Sequence, residues 1–190
     1  MKYFKKLVGE RVYLSPINPD DAEIYTKWLN DAELTQFYIS PTPVFGLTSA
    51  KKFLEERAES GHNFAIVRTE DDALIGYADL HDIANISRSA WLGILIGEAE
   101  NRGVGYGTEA LRLLLEYGFC ALNLHSVALS VVADNEQGIA CYRKLGFKQY
   151  GRRRDSWFKN GSYYDVVYMD VLENEFNANN ENNTQGMNAK

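Results

Sequence analysis

Apolar and polar positions alternate or recur at helical spacing along almost the whole chain, and the order of these patterns predicts a layered mixture of strands and helices. Arg11 to Ile17 reads as a first strand. Asn18-Pro19-Asp20-Asp21 then offers a capping side chain, a proline at the first turn and acids at the positive end of the dipole, so a helix starts there and buries Ala22, Tyr25, Trp28 and Leu29. A second helix runs from about Thr48 to Glu59, with Phe53 and Leu54 inward and its charges outward. Asn63 to Thr69 and Leu74 to Asp82 form a hairpin through the turn Glu70 to Ala73, and Ile83 to Ser89 leads into a central strand at Trp91 to Gly97. Beyond it, Leu111, Leu114, Leu115, Phe119 and Leu122 share a helical face. A β-branched strand, His125 to Val132, a helix from Asn135 to Gly146, and a hairpin of Lys148 to Phe158 and Tyr163 to Leu172 around Asn160-Gly161 complete the pattern.

The chemistry concentrates where the central strand meets its helix. Arg102-Gly103-Val104-Gly105-Tyr106-Gly107 places three glycines before the amphipathic run, so several main-chain N–H groups can converge at the positive end of a helix. Such a turn seats phosphate. Gly107 is followed by Thr108-Glu109 instead of the Lys-Ser/Thr of a Walker loop, and neither Gly103 nor Gly105 begins a Gly-x-Gly-x-x-Gly fingerprint. A second segment, VVADNEQGIACYRKLGF, places Asn135 as helix cap and Asn135, Ile139 and Tyr142 at i, i+4 and i+7 on one face, with Gly146 as the stop.

Arg102-x-x-Gly105-x-Gly107 followed by Asn135-x-x-x-Ile139-x-x-Tyr142 resembles the two coenzyme-binding segments of the GNAT N-acetyltransferase superfamily. The Asn-Gly-x-Tyr-x-Asp run ending at Asp165 resembles its ribosomal-protein and spermidine acetyltransferase branch. The resemblance covers about residues 9 to 173. It implies an α+β fold of three α/β/α layers: a mixed, mostly antiparallel sheet of about seven strands with a splayed central pair, flanked by about four helices. It also implies acetyl-CoA as cosubstrate, with pyrophosphate on Arg102, Gly103, Val104, Gly105, Tyr106, Gly107 and Thr108. The pantetheine arm would lie along Ile94, Leu95, Ile96, Asn135 and Ile139, with the Leu95 backbone polarising the thioester carbonyl and Tyr142 protonating the leaving thiolate. A CoA-binding regulatory module without turnover would keep the loop but have no use for Tyr142.

Composition narrows the setting. The 190 residues suit one domain, expected at 1–176, followed by an Asn-rich stretch, 177–190, too poor in large apolar residues to order itself. A net charge of -6 argues against nucleic acid or an anionic membrane as partner. The start of the chain lacks a signal-like apolar run, so a cytoplasmic location is expected. Cys120 and Cys141 read as small core residues, and His62, His81 and His125 form no ligand motif, so no metal is expected. Self-association into a homodimer stays open.

The acceptor amine is less defined. In the resemblance, Glu33, Phe37 and Tyr38 fall in the wall of the acceptor groove. An α-amine of pKa near 7.8 is roughly a quarter neutral at pH 7.4, whereas a Lys-like amine near 10.4 is neutral about once in 10³ and needs a base. Glu98, Asp79 and His81 are the candidates, with Asp79 and His81 on one face of a strand. None matches the family's pattern securely, and Asp79 with His81 reads equally as a solvent-facing pair. The weaker demand for a base points to a protein or peptide N-terminus as acceptor, with a polyamine as the alternative.

Overall fold

A computed structural model describes residues 2–38 and 44–176. The tail expected to be disordered, 177–190, and the prolines at positions 41 and 43 lie outside the described residues.

The strands are β1 (Leu7–Val8), β2 (Val12–Pro16), β3 (Asn63–Arg68), β4 (Leu74–Ala84), β5 (Ser89–Ile96), β6 (Ser126–Val132), β7 (Lys148–Lys159) and β8 (Ser162–Leu172). They form one sheet in the order β1-β2-β3-β4-β5-β6-β8-β7. The helices are α1 (Ala22–Asn30), α2 (Leu47–Glu59), α3 (Tyr106–Glu116) and α4 (Glu136–Lys144). Among the described residues eight strands stand where the resemblance implies about seven; the addition is β1, whose two residues are too few to show an alternation.

The chain divides into two compact units. The first comprises residues through His81 together with Gly93–Leu114. Its strands pair antiparallel, with Leu14 of β2 opposite Ile66 of β3 and Phe64 of β3 opposite Ala78 of β4. Asn18 caps the start of the first helical segment by accepting from the Asp20 N–H at 3.0 Å. Tyr25, Trp28, Leu54, Tyr77 and Leu95 fill its core, where the rings of Tyr25 and Tyr77 stack 5.7 Å apart.

The second unit comprises Asp82–Leu92 and the chain from Leu115 onward. Ser89, Ala90 and Trp91 of β5 pair in parallel with Ser126, Val127 and Ala128 of β6. β6 runs antiparallel to β8 from Ser126 opposite Leu172 to Val132 opposite Val166. Asn160 and Gly161 both have positive φ, 51° and 80°, as a two-residue type I′ turn requires, so the hairpin β7–β8 closes where the Asn-Gly signal predicts. β7 is an edge strand with Arg152, Arg153 and Arg154 exposed, and its register shifts between Arg153 and Trp157, where Asp155 takes a φ of 47°.

Two expectations are corrected. The helix begun by α3 continues as a π-helical turn, Tyr117–Ala121, and this wider turn sets Cys120 outward instead of in the core; Cys141 is half-buried. In α2, Arg57 turns inward to Asp79, although the helical period alone assigns the charges of this helix to its outer face.

Candidate active site

The glycine loop is set from both ends. Gly103 and Gly105 have φ of 72° and 99°, a region that side chains with a Cβ avoid. Arg102 folds back on the end of β5, donating from Nε to the Ile96 carbonyl at 3.2 Å and from Nη2 to the Gly97 carbonyl. Its guanidinium therefore braces the turn, while the phosphate-binding capacity expected of the segment rests on main-chain N–H groups at the start of α3. Gly107 packs against Ile94 and Ile96, whose side chains lie 3.6 Å from where its Cβ would be.

β4 gathers a polar cluster in the same unit. Tyr77, Asp79 and His81 are two apart along the strand and share a face. Asp79 is buried, accepts from or shares a proton with His81 Nδ1 at 2.7 Å, and has Arg57 Nη1 at 3.5 Å. Arg57 also donates to Asn63 Oδ1 at 2.7 Å and lies over the rings of Phe53 and Tyr77, 4.4 and 5.4 Å from their centroids. The Tyr38 and Tyr77 hydroxyls are 3.0 Å apart. Gly93 of β5 makes room for this cluster, because a Cβ there would stand 2.7 Å from Asp79 Oδ1. The pair that strand alternation could equally turn toward solvent is thus a buried carboxylate orienting a half-exposed imidazole. Sequence reasoning misses Arg57 and Gly93, since nothing in local periodicity distinguishes an arginine that turns inward.

Glu98 sits differently. It accepts from Lys27 Nζ at 2.6 Å and Trp28 Nε1 at 3.1 Å, and the Lys27 hydrogen bond, followed by that of Trp28, holds its carboxyl below the usual range. A carboxylate so occupied is a poor proton acceptor. Of the residues expected in the acceptor wall, Glu33 is exposed, Phe37 half-buried, and Tyr38 joins the β4 cluster.

In the second unit, Asn135 Oδ1 accepts from the Gly138 N–H at 2.9 Å, capping α4. A Cβ on residue 138 would meet the Asn135 side chain at 2.8 Å, so glycine there lets the cap fold back. With Oδ1 engaged, Nδ2 is the group with which Asn135 can donate to a ligand. Asn135, Ile139 and Tyr142 are half-buried on the shared face, and the Tyr142 ring meets Phe147 edge-on at 5.9 Å. Burial pushes the Tyr142 phenol well up from its ordinary value, with the neighbouring Cys141 adding to the effect, so the hydroxyl keeps its proton at neutral pH. Asp165, the end of the Asn-Gly-x-Tyr-x-Asp run, accepts at its main-chain oxygen from the Ala133 N–H at 2.9 Å, just before the cap. Its carboxylate accepts from the Asp155 N–H at 2.9 Å and Arg152 Nε at 2.6 Å. Removing the cap with Asn135→Ala is expected to cost about 1 kcal/mol, read as a fall of roughly 2–4 °C in the thermal midpoint, whereas Asn135→Ser retains most of it.

Among the described residues, no group of three or more His, Cys, Asp or Glu side chains is gathered as a metal would require, and no helix is long and apolar enough to cross a membrane.

Comparison with known proteins bears on the family. The Acetyltransferase (GNAT) domain model matches residues 11–148. Spermidine N(1)-acetyltransferase of Escherichia coli (strain K12) is 28% identical over 175 residues, 92% of this chain and 92% of its own. YdaF of Bacillus subtilis (strain 168), a candidate ribosomal N-acetyltransferase, is 35% identical over 106 residues, 56% of this chain and 57% of its own. The crystal structure of spermidine N-acetyltransferase from Vibrio cholerae in complex with CoA and spermine has a TM-score of 0.80 at 24% identity, over 88% of this chain and 99% of that one, a likeness of fold. The chain belongs to the GNAT family and is an acetyl-CoA-dependent N-acetyltransferase.

Proposed function

We propose that the acceptor is a polyamine of the spermidine type, acetylated on a primary amine by direct attack on the thioester in a ternary complex. This departs from the N-terminal α-amine to which the sequence points. The observation that carries it is the contact between His81 Nδ1 and the buried Asp79 at 2.7 Å. With Nδ1 as donor to the carboxylate, the lone pair of the neutral ring is on Nε2, the arrangement of an oriented general base. A strongly basic amine requires such a group and an α-amine does not. The full-length similarity to a protein named spermidine N(1)-acetyltransferase supports the same choice.

On this reading, main-chain groups from Arg102 to Thr108 take the pyrophosphate, and those at Ile94, Leu95 and Ile96 receive the pantetheine arm, with Leu95 polarising the carbonyl. Asn135 donates through Nδ2 to the arm, Ile139 packs beside it, and the Tyr142 hydroxyl donates to the developing thiolate. The higher identity to YdaF, over a shorter span, keeps an N-terminal α-amine as the second reading.

Thiol release from acetyl-CoA is the test, with spermidine, spermine and Ala- or Ser-started peptides as acceptors. Release with the polyamines, falling about 10²-fold in His81→Ala, is the expected result. Release confined to the peptides overturns the polyamine as acceptor, and polyamine turnover unchanged in His81→Ala removes His81 as the base.

A further inference from the structure

The glycine loop is held by a residue almost a hundred positions earlier. Arg11, in the turn between β1 and β2, donates from Nη1 to the Val104 carbonyl at 3.0 Å and from Nε to Glu109 Oε2 at 3.2 Å. Glu109 Oε1 in turn accepts from the Arg11 N–H at 2.8 Å and the Val12 N–H at 3.3 Å. The guanidinium also lies over the Tyr106 ring, 5.2 Å from its centroid. Two glycines make the arrangement sterically feasible: a Cβ on Gly105 would come within 2.7 Å of Arg11 Nη2, and one on Gly9 within 2.5 Å of Glu109 Oε1.

We propose that Arg11, together with Glu109, is a positioning residue for the coenzyme's pyrophosphate, acting by fixing the direction of the Gly105 N–H. The inference rests on reading Arg102 to Thr108 as the pyrophosphate seat. In a trans peptide the carbonyl and the following N–H point in opposite directions. Pinning the Val104 carbonyl toward Arg11 therefore turns the Gly105 N–H away from Arg11 and holds it there before any ligand arrives. Glu109 by itself would set a negative charge in the first turn of α3, close to where an anion binds. Arg11 neutralises that charge and draws the carboxylate toward the β1–β2 turn. Arg11 thus aligns a donor and removes a repulsion.

Titration calorimetry of the full chain with CoA, and separately with pantetheine, tests this without needing an acceptor. Pantetheine keeps the thiol arm but lacks the pyrophosphate. Arg11→Met is expected to raise Kd for CoA about tenfold and leave Kd for pantetheine within twofold, with Arg11→Lys recovering part of the loss because an ammonium can still reach one carbonyl. Equal weakening of both ligands, or no change in either, overturns the proposal. Should the wild type itself bind CoA no better than pantetheine, the pyrophosphate seat fails and the role of Arg11 with it. If Arg11→Met does not fold, Arg11→Lys and Glu109→Gln carry the same comparison.

Discussion

Tyr142→Phe is expected to lower kcat by 10²- to 10⁴-fold while leaving the affinity for CoA within about threefold. The substitution removes one oxygen from a half-buried ring whose packing against Phe147 is through carbon, so the fold and the face of α4 shared by Asn135 and Ile139 are retained. The raised phenol pKa shapes the role. A CoA-like thiol has a pKa of about 8.5, so complete proton transfer from this phenol to the thiolate runs uphill. Tyr142 is better suited to donate a hydrogen bond to sulfur as charge develops there. The sign of the shift gives a second result: because ionisation lies above the ordinary tyrosine value, no alkaline fall in turnover assignable to Tyr142 is expected below about pH 10. Steady-state kinetics with CoA calorimetry check both points, and a Tyr142→Phe enzyme with unaltered kcat removes the residue from the mechanism.

The largest effect on stability is expected from Gly97→Ala. A Cβ at this position would stand 2.0, 2.3 and 2.4 Å from Cε2, Cζ2 and Nε1 of Trp28. Trp28 cannot step aside, being buried and tied through Nε1 to Glu98. Overpacking of this kind costs about 3 kcal/mol or more, corresponding to a fall of roughly 6–12 °C in the thermal midpoint. Gly151→Ala is the control, since its Cβ would meet Tyr168 only at ordinary contact distances of 3.7 and 3.8 Å. Trp28→Phe deletes the indole nitrogen and the fused ring, so the double variant should recover part of the loss caused by Gly97→Ala. A single variant that melts within about 2 °C of the wild type contradicts the contact.

These features differ in how far they can be read from the sequence. Asn18, Asn135 and Asn160-Gly161 act on backbone groups within three residues, and such local chemistry leaves a local signature that the structure reproduces. The buried stripe of α1 is legible for the same reason. Arg11 and Glu109 are 98 positions apart, and Glu98 meets Trp28 from 70 away, so no period or spacing announces either pair. Arg57 shows the converse: an arginine on an amphipathic helix reads as solvated until a buried carboxylate on a neighbouring strand draws it in. Asp79 and His81 are identifiable as a same-face pair, but which face is buried depends on α2 and on the absence of a side chain at Gly93.

The outer strand β7 has a consequence for association between chains. It carries Arg153 and Arg154, both exposed, beside Arg152, which is paired with Asp165, and the kink at Asp155 interrupts the straight run that a further strand would need. A second chain adding itself edge to edge would bring like charges together across a broken ladder. Growth of the sheet into intermolecular ribbons is thereby opposed at the end where it has the greatest length to offer.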